Sequence, residues 1–183
     1  MPESGGLQFL NQQEVLDKVG LNQGMNVACL GCGNLGYFII PAAKLIGKES
    51  LAYAVDIQKS VLDSVKHLAA MEGLTNLQTI WANLEVVGST KIPAASLDVA
   101  FLINVLFQNK KHAEMLKEAS RLIKTGGKLV VIDWKKIGVL FGPAVEMRVD
   151  PEAVVKYATD LNLRLVLQTE FSKYFWGLIF EKM

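Results

Sequence analysis

The sequence predicts a doubly wound α/β sheet, and three observations predict it. Short apolar runs alternate with stretches of helical periodicity along the whole chain. The runs are continuously apolar, the pattern of strands buried on both faces of a parallel sheet. The first run is followed directly by the glycine-rich turn Gly31-Cys32-Gly33-Asn34-Leu35-Gly36. A hydrophobic content of 51% and a mean hydropathy of +0.28 over 183 residues fit a well-covered core. That length is expected to form one domain, residues 1–183.

The elements follow in order. Asn11-Gln12-Gln13-Glu14 has the spacing of a capping box, and Gly20 closes the helix it opens. Met25 to Leu30 reads as a buried strand. A helix over roughly Tyr37 to Ile46 follows the glycines, with Pro41 restricted to its first turns. Leu51 to Val55 is a second strand, closed by Asp56. Val61, Leu62, Val65, Leu68 and Ala69 mark a helix that Gly73 stops. Leu77 to Trp81 is the third strand, residues 88–95 a loop, and Leu97 to Asn104 the fourth strand. Met115, Leu116, Ala119, Leu122 and Ile123 mark a helix capped near Asn109 and stopped by Gly126-Gly127. Lys128 to Asp133 is the fifth strand. Asp150-Pro151-Glu152 starts a helix, with an N-cap carboxylate and proline at the first helical position. Two last strands, near 163–169 and 175–181, are joined too closely for a crossover and should pair antiparallel. Five strand–helix units and a terminal hairpin place a ligand at the carboxyl ends of the strands.

Bulk properties exclude several classes. Nineteen basic and 18 acidic residues leave a net charge of +1, so no nucleic-acid partner is indicated. No apolar stretch is long enough to span a membrane, and the first residues lack the pattern of a signal peptide. Cys29 and Cys32 form C-x-x-C. An open loop rather than a helix start follows them, and a metal site would need more ligands, so they read as reduced buried thiols of a cytoplasmic protein. His67 and His112 fall on helices and receive no role.

The glycine loop carries the first functional expectation. Glycine allows a ligand to approach the main chain, and the helix start beyond it offers free N–H groups. Asp56 ends the next strand about 20 residues later, where a carboxylate can accept from both hydroxyls of a ribose. A dinucleotide and S-adenosylmethionine both fit this pair.

Other segments resemble one family. "GMNVACLGCGNLGYFIIPAAKLIG", "LAYAVDIQKSVLDSVKHLAAMEGLTNLQTIWANLE", "SLDVAFLINVLFQ" and "LKEASRLIKTGGKLVVIDW" resemble successive motifs of class I S-adenosylmethionine-dependent methyltransferases of the small UbiE-like type. "FLNQQEVLDKVGL" is similar to the helix these proteins place before the first strand. The resemblance implies a seven-stranded Rossmann-like sheet of order 3-2-1-4-5-7-6, mostly parallel with the last strand antiparallel and helices on both faces. Residues 1–24 would then pack near the cofactor. It also implies that S-adenosylmethionine binds at Gly31, Cys32, Gly33 and Gly36, with Asp56 on the ribose, Ile57 against adenine, Asn83 with Leu84 near its amino group, and Asn104 by the methionine end. Cys29 stands where an acid is usual, Leu35 lengthens the loop, and Asn83 replaces an aspartate.

Methyl transfer needs chiefly an aligned acceptor, because the cofactor brings the activated carbon. Candidates on the acceptor side are Asp133 as orienter or base, Trp134 as a wall and Arg148 toward an anion. Phe107, Gln108, Tyr174 and Trp176 border the same region, and Ser4-Gly5-Gly6 would form a flap. The acceptor is expected to be a small molecule, since little chain lies outside the core sheet. A homodimer is compatible with the sequence. Two other readings are a methyltransferase-fold protein that binds cofactor or a partner without catalysis, motivated by the three departures, and a nicotinamide-dependent oxidoreductase.

Overall fold

The computed structural model describes residues 6–33 and 35–183. Of the expected flap, Ser4 and Gly5 lie outside the described residues.

Seven strands form one sheet: β1 (Val27–Leu30), β2 (Ala52–Asp56), β3 (Leu77–Trp81), β4 (Leu97–Ile103), β5 (Ile123–Trp134), β6 (Leu163–Ser172) and β7 (Phe175–Lys182). Their order is β3-β2-β1-β4-β5-β7-β6. The first five are parallel, and β7 runs antiparallel between β5 and β6. Among the described residues five α-helices accompany the sheet: α1 (Gln12–Val19), α2 (Ile39–Ile46), α3 (Lys59–Met71), α4 (His112–Leu122) and α5 (Pro151–Thr159).

The central strands face both ways, which is why they read as unbroken apolar runs. On β1, Val27 and Cys29 enter one core with Val15, Ile39 and Val65 from α1, α2 and α3. Ala28 and Leu30 enter the opposite core with Leu116 of α4 and Val154 of α5. β4 and β5 divide in the same way, with Phe101 and Ile132 on the first face and Leu102 and Val131 on the second.

The helix starts carry their expected caps at two places. Asn11 accepts from Glu14 N–H at 3.2 Å. Asp150 accepts from Glu152 N–H at 3.1 Å, with Pro151 as the first helical residue. Pro41 is the third residue of α2, where its missing N–H has no intrahelical partner to lose.

The third strand is followed by turns and a loop, with no helix before β4. Three features differ from the sequence expectation. α2 begins at Ile39, not Tyr37, because the turn after the glycines takes two more residues. Asn109 does not cap α4: Lys111 is the N-cap residue, and the Asn109 amide instead donates to Val105 O at 2.7 Å. Finally, β5 begins at Ile123, before Gly126-Gly127. Leu97 already pairs with Ile123, and the register slips before Val99 meets Lys128. The two glycines form a bulge inside the strand instead of a stop before it.

Candidate functional site

Parallel strands bring the carboxyl ends of β1, β2, β4 and β5 to one edge of the sheet. A cavity of about 770 Å³ opens there, within the size range of small-molecule sites. Gly31, Gly33, Asp56, Ile57, Asn83 and Leu84, six of the residues expected to hold a cofactor, line it. Gln108, expected at the border, also lines it.

The three glycines serve different ends. A Cβ on Gly31 would stand 2.7 Å from Val105 Cγ2, so this glycine admits the chain leaving β4. One on Gly36 would stand 2.9 Å from Ile40 Cγ1, so this one closes the loop onto α2. One on Gly33 would meet nothing within 4 Å, and its φ is +65°. Gly33 alone leaves room on the cavity side.

Asp56 is almost fully buried at the base of the cavity. Its Oδ2 accepts from Gly33 N–H at 3.2 Å and its Oδ1 from Gln58 N–H at 3.0 Å. Gly31 and Cys32 N–H both donate to Val55 O, at 2.8 and 3.0 Å. One carboxylate therefore ties the glycine loop to the end of β2 and keeps lone pairs for a ligand. Next to it, the exposed Trp81 donates from its indole to Ile57 O at 2.8 Å and holds the Ile57 segment in place. Asn83 is exposed and forms an Asx turn, its Oδ1 accepting from Glu85 N–H at 2.9 Å.

The opposite wall is a short 3-10 helix, Leu106–Gln108. Asp133 accepts from Phe107 N–H at 3.2 Å and from Trp134 N–H at 2.8 Å, and Leu106 N–H also bonds to it. His112 Nε2 lies 2.9 Å from Leu106 O and 2.8 Å from Asn109 O. A histidine given no role from sequence is thus a brace for this wall. Its contacts run from a helix start back to the preceding turn, which helical spacing alone does not reveal.

Several expected residues lie elsewhere. Cys32 is buried in the core among apolar side chains, and Gly36 faces α2. Asn104 is buried with a left-handed φ of +58°, its carbonyl accepting from Gln108. None of the three lines the cavity in this structure. Burial pushes the Cys29 thiol up to about 12, with the Asp56 charge adding to it, and raises Cys32 further. Both are free thiols, and neither is poised as a nucleophile. Among the described residues no group of three metal-binding side chains forms.

The acceptor-side candidates are corrected by their burial. Asp133 is fully enclosed and its oxygens are taken by three N–H groups, so it supports the cavity wall rather than meeting an acceptor. Burial, outweighing those N–H groups, raises its carboxyl from 3.8 to about 7. Trp134 is fully buried beneath the loop, in ring contact with Phe175 at 4.5 Å and Phe141 at 5.9 Å, and forms no exposed wall. Its Nε1 finds no acceptor among the described residues. Arg148 is 3% exposed. It is neither a surface arginine nor free for an anion, because its guanidinium is spent on carbonyls of residues 135–143. Trp176 is buried too, donating to Trp134 O and Val149 O. Tyr174 joins Phe9 and Phe141 in a ring cluster with centroids 4.9–5.0 Å apart.

The residues missing from the sequence expectation are mostly polar. Gln58, Ser60, Ser64, Glu85 and Asn109 line the cavity. Ser60 and Ser64 share one face of α3 at a spacing of four, a signal that was legible. Glu85 and Asn109 arrive from irregular turns and carried none.

A family model described as a methyltransferase domain matches residues 21–166. The chain is similar to a ubiquinone/menaquinone biosynthesis C-methyltransferase, UbiE, of Laribacter hongkongensis: 29% identity over 147 residues, covering 79% of this chain and 57% of that protein. It is also 29% identical over 113 residues to a tRNA U34 carboxymethyltransferase of Desulfotalea psychrophila, covering 60% of this chain and 32% of that protein. The chain thus spans about half or less of these two relatives. Among solved structures, a SAM dependent methyltransferase from Aquifex aeolicus superposes with a TM-score of 0.87 at 24% identity, over 98% of this chain and 94% of that one.

Proposed function

Because the chain belongs to the methyltransferase-domain family, we propose that its cavity binds S-adenosylmethionine and that it transfers the methyl group to a small-molecule acceptor. The observation that carries this reading is the buried Asp56 carboxylate, joined to the glycine loop and facing a cavity of nucleoside size.

The residues present fit such a cofactor. Asp56 would accept from the ribose hydroxyls, and Gly33 leaves the space in which a sugar and methionine chain can lie against the main chain. Ile57 and Leu84 would flank the adenine, while Asn83, fixed by its own turn, keeps its amide within the same cavity. The departure at Asn83 preserves a carbonyl acceptor and loses only a charge. Cys29 is enclosed in the core and brings no group to the cavity, so the acid usual at that position has no counterpart here.

When bound, the sulfonium supplies an activated methyl carbon, and the chemistry is an in-line displacement. The chain's own task is to hold that carbon and the acceptor in line. Gln108 at the end of the 3-10 wall and Asn109 just after it are polar groups lining the cavity, on a wall braced by Asp133 and His112. Asp133, fully enclosed, contributes position and moves no proton. Among the described residues the cavity's two carboxylates are Asp56, bonded to the N–H groups of Gly33 and Gln58, and Glu85, 3.9 Å from Lys111, so the reading takes an acceptor that is nucleophilic as bound or loses its proton to solvent.

Calorimetry on the full chain tests the proposal. S-Adenosylmethionine and its demethylated product are expected to bind in equimolar ratio, and NADH to show no heat. Binding of NADH alone sinks the reading. Binding of the methyl donor without turnover on any small acceptor favours the non-catalytic alternative.

A further inference from the structure

We propose that the methyl acceptor is a small, basic primary amine whose N–H hydrogens are taken by the side-chain oxygens of Gln108 and Asn109, and that the site refuses anionic acceptors. The inference rests on the methyl-transfer reading above and gives it a substrate class.

Gln108 ends the 3-10 wall, Asn109 follows it, and both line the cavity. Each amide is oriented by the backbone. Gln108 Nε2 donates to Asn104 O at 2.7 Å, and Asn109 Nδ2 donates to Val105 O at 2.7 Å. A backbone carbonyl only accepts, so each amide sets its nitrogen against the main chain and keeps its oxygen for another donor. The carbonyls of the wall itself are engaged: Val105 O also accepts from Gln108 N–H at 3.2 Å, and His112 Nε2 lies against Leu106 O and Asn109 O. What this wall keeps for a ligand is a pair of neutral oxygens that take hydrogens. The neutral side-chain donors of the cavity, Gln58, Ser60 and Asn83, belong instead to the segments after β2 and β3.

The charge of the lining points the same way. Asp56 and Glu85 line the cavity, and no lysine, arginine or histidine among the described residues does. Lys110 stands outside the lining, and Lys111 lies 3.9 Å from Glu85. Arg148, the side chain expected to meet an anion, is enclosed against loop carbonyls. A phosphate or carboxylate brought to this wall would lose water and meet oxygen atoms with no cation to pair with. An amine meets acceptors, and its cationic form is drawn toward a negative lining.

An amine also fits better than an alcohol. A neutral primary amine has two hydrogens for the two oxygens and a lone pair left over, whereas a hydroxyl has one hydrogen. It attacks without first losing a proton, so no side chain has to act as base. Its nitrogen lone pair forms the new N–C bond while the S–C bond of the donor breaks and that electron pair goes to sulfur. The methylated ammonium then gives its extra proton to solvent.

The test supplies the full chain with methyl-labelled S-adenosylmethionine and a small-molecule cell extract divided by ion exchange into cation-retained, anion-retained and unretained fractions. Label is expected in the cation-retained fraction, at a rate that rises with pH as the amine loses its proton. Transfer confined to either other fraction overturns this inference and leaves the methyl-transfer reading standing. Transfer to none overturns both. Gln108→Leu removes an oxygen and should raise the apparent KM for the labelled fraction about tenfold. Gln108→Glu loses the same bond to Asn104 O but keeps an oxygen, so it should recover most of that loss. An apparent KM unchanged in Gln108→Leu, or raised equally in both variants, limits the amide to bracing the wall and overturns the proposal.

Discussion

Gly31 and Gly33 sit two residues apart in the same loop, yet substitution at each should fail differently. Alanine at Gly31 drives a methyl to 2.7 Å from Val105 and displaces the chain that carries the cavity's far wall. Its main expected effect is on folding, a loss of roughly 2–3 kcal/mol in urea denaturation from overpacking and the left-handed backbone. Val105→Ala in the same chain should recover part of it. Alanine at Gly33 costs about 1–2 kcal/mol of backbone strain, but its methyl enters the cavity, so calorimetry should show the larger change in cofactor affinity. Asp56→Ala should weaken binding by about 1.5–3 kcal/mol through lost charge-assisted bonds. It also frees the N–H groups of Gly33 and Gln58. Asp56→Asn, which can still accept from Gly33, should lose less. Equal affinity in the wild type and Asp56→Ala would remove this residue from the site.

At the scale of elements, two buried carboxyls couple to pH in opposite directions. Glu118 on α4 fastens the loop between β3 and β4. It accepts from Gly88 N–H at 2.7 Å and from the Thr90 hydroxyl at 2.6 Å, and pairs with Arg121 at 2.8 Å. Burial alone would raise its carboxyl, but the bonds from Arg121, Thr90 and Gly88 and the guanidinium charge hold it down at about 2, against 4.5. The carboxylate's contribution is complete above the unfolded value of 4.5 and is lost as pH falls toward 2. Glu118→Ala leaves Arg121 and Thr90 without their partner and should cost on the order of 3 kcal/mol. Asp133 behaves inversely. Its folded carboxyl is raised from 3.8 to about 7, so its contribution is complete below 3.8 and is lost as pH rises through 7. Asp133→Asn keeps an oxygen for the Phe107 and Leu106 N–H groups and should flatten urea stability between pH 4 and 8. A slope unchanged by the substitution would assign that titration to another group.

For the whole molecule, the cavity is assembled from the ends of β1 and β2, the turn after β3 and the 3-10 helix after β4, so a ligand that fits it ties together segments far apart in sequence. S-Adenosylmethionine at 100 times its dissociation constant should add about 2.7 kcal/mol. That corresponds to a rise in melting temperature of roughly 5–10 °C for a chain of this size. No rise at that concentration contradicts the proposed cofactor. Other parts of the site show why reading it from sequence had limits. Gly31, Gly33, Asp56, Ile57, Asn83 and Leu84 were legible because they belong to strand ends and the turns next to them. Glu85 and Asn109 were not, since they reach the cavity from irregular turns.

Sequence alone determined the sheet. Apolar runs buried on both faces, with glycine and carboxylate at their ends, report local periodicity and turn chemistry, and these survive folding nearly unchanged. Only the tertiary structure decided which polar groups are available. Asp133, Trp134 and Arg148 looked suited to chemistry by residue type and position, yet packing enclosed all three. The Asp133 oxygens went to N–H groups of the 3-10 wall and of Trp134, the Arg148 guanidinium to carbonyls of the preceding loop, and Trp134 was packed among aromatic rings. Burial is a property of the assembled layers, and no local pattern in the chain encodes it.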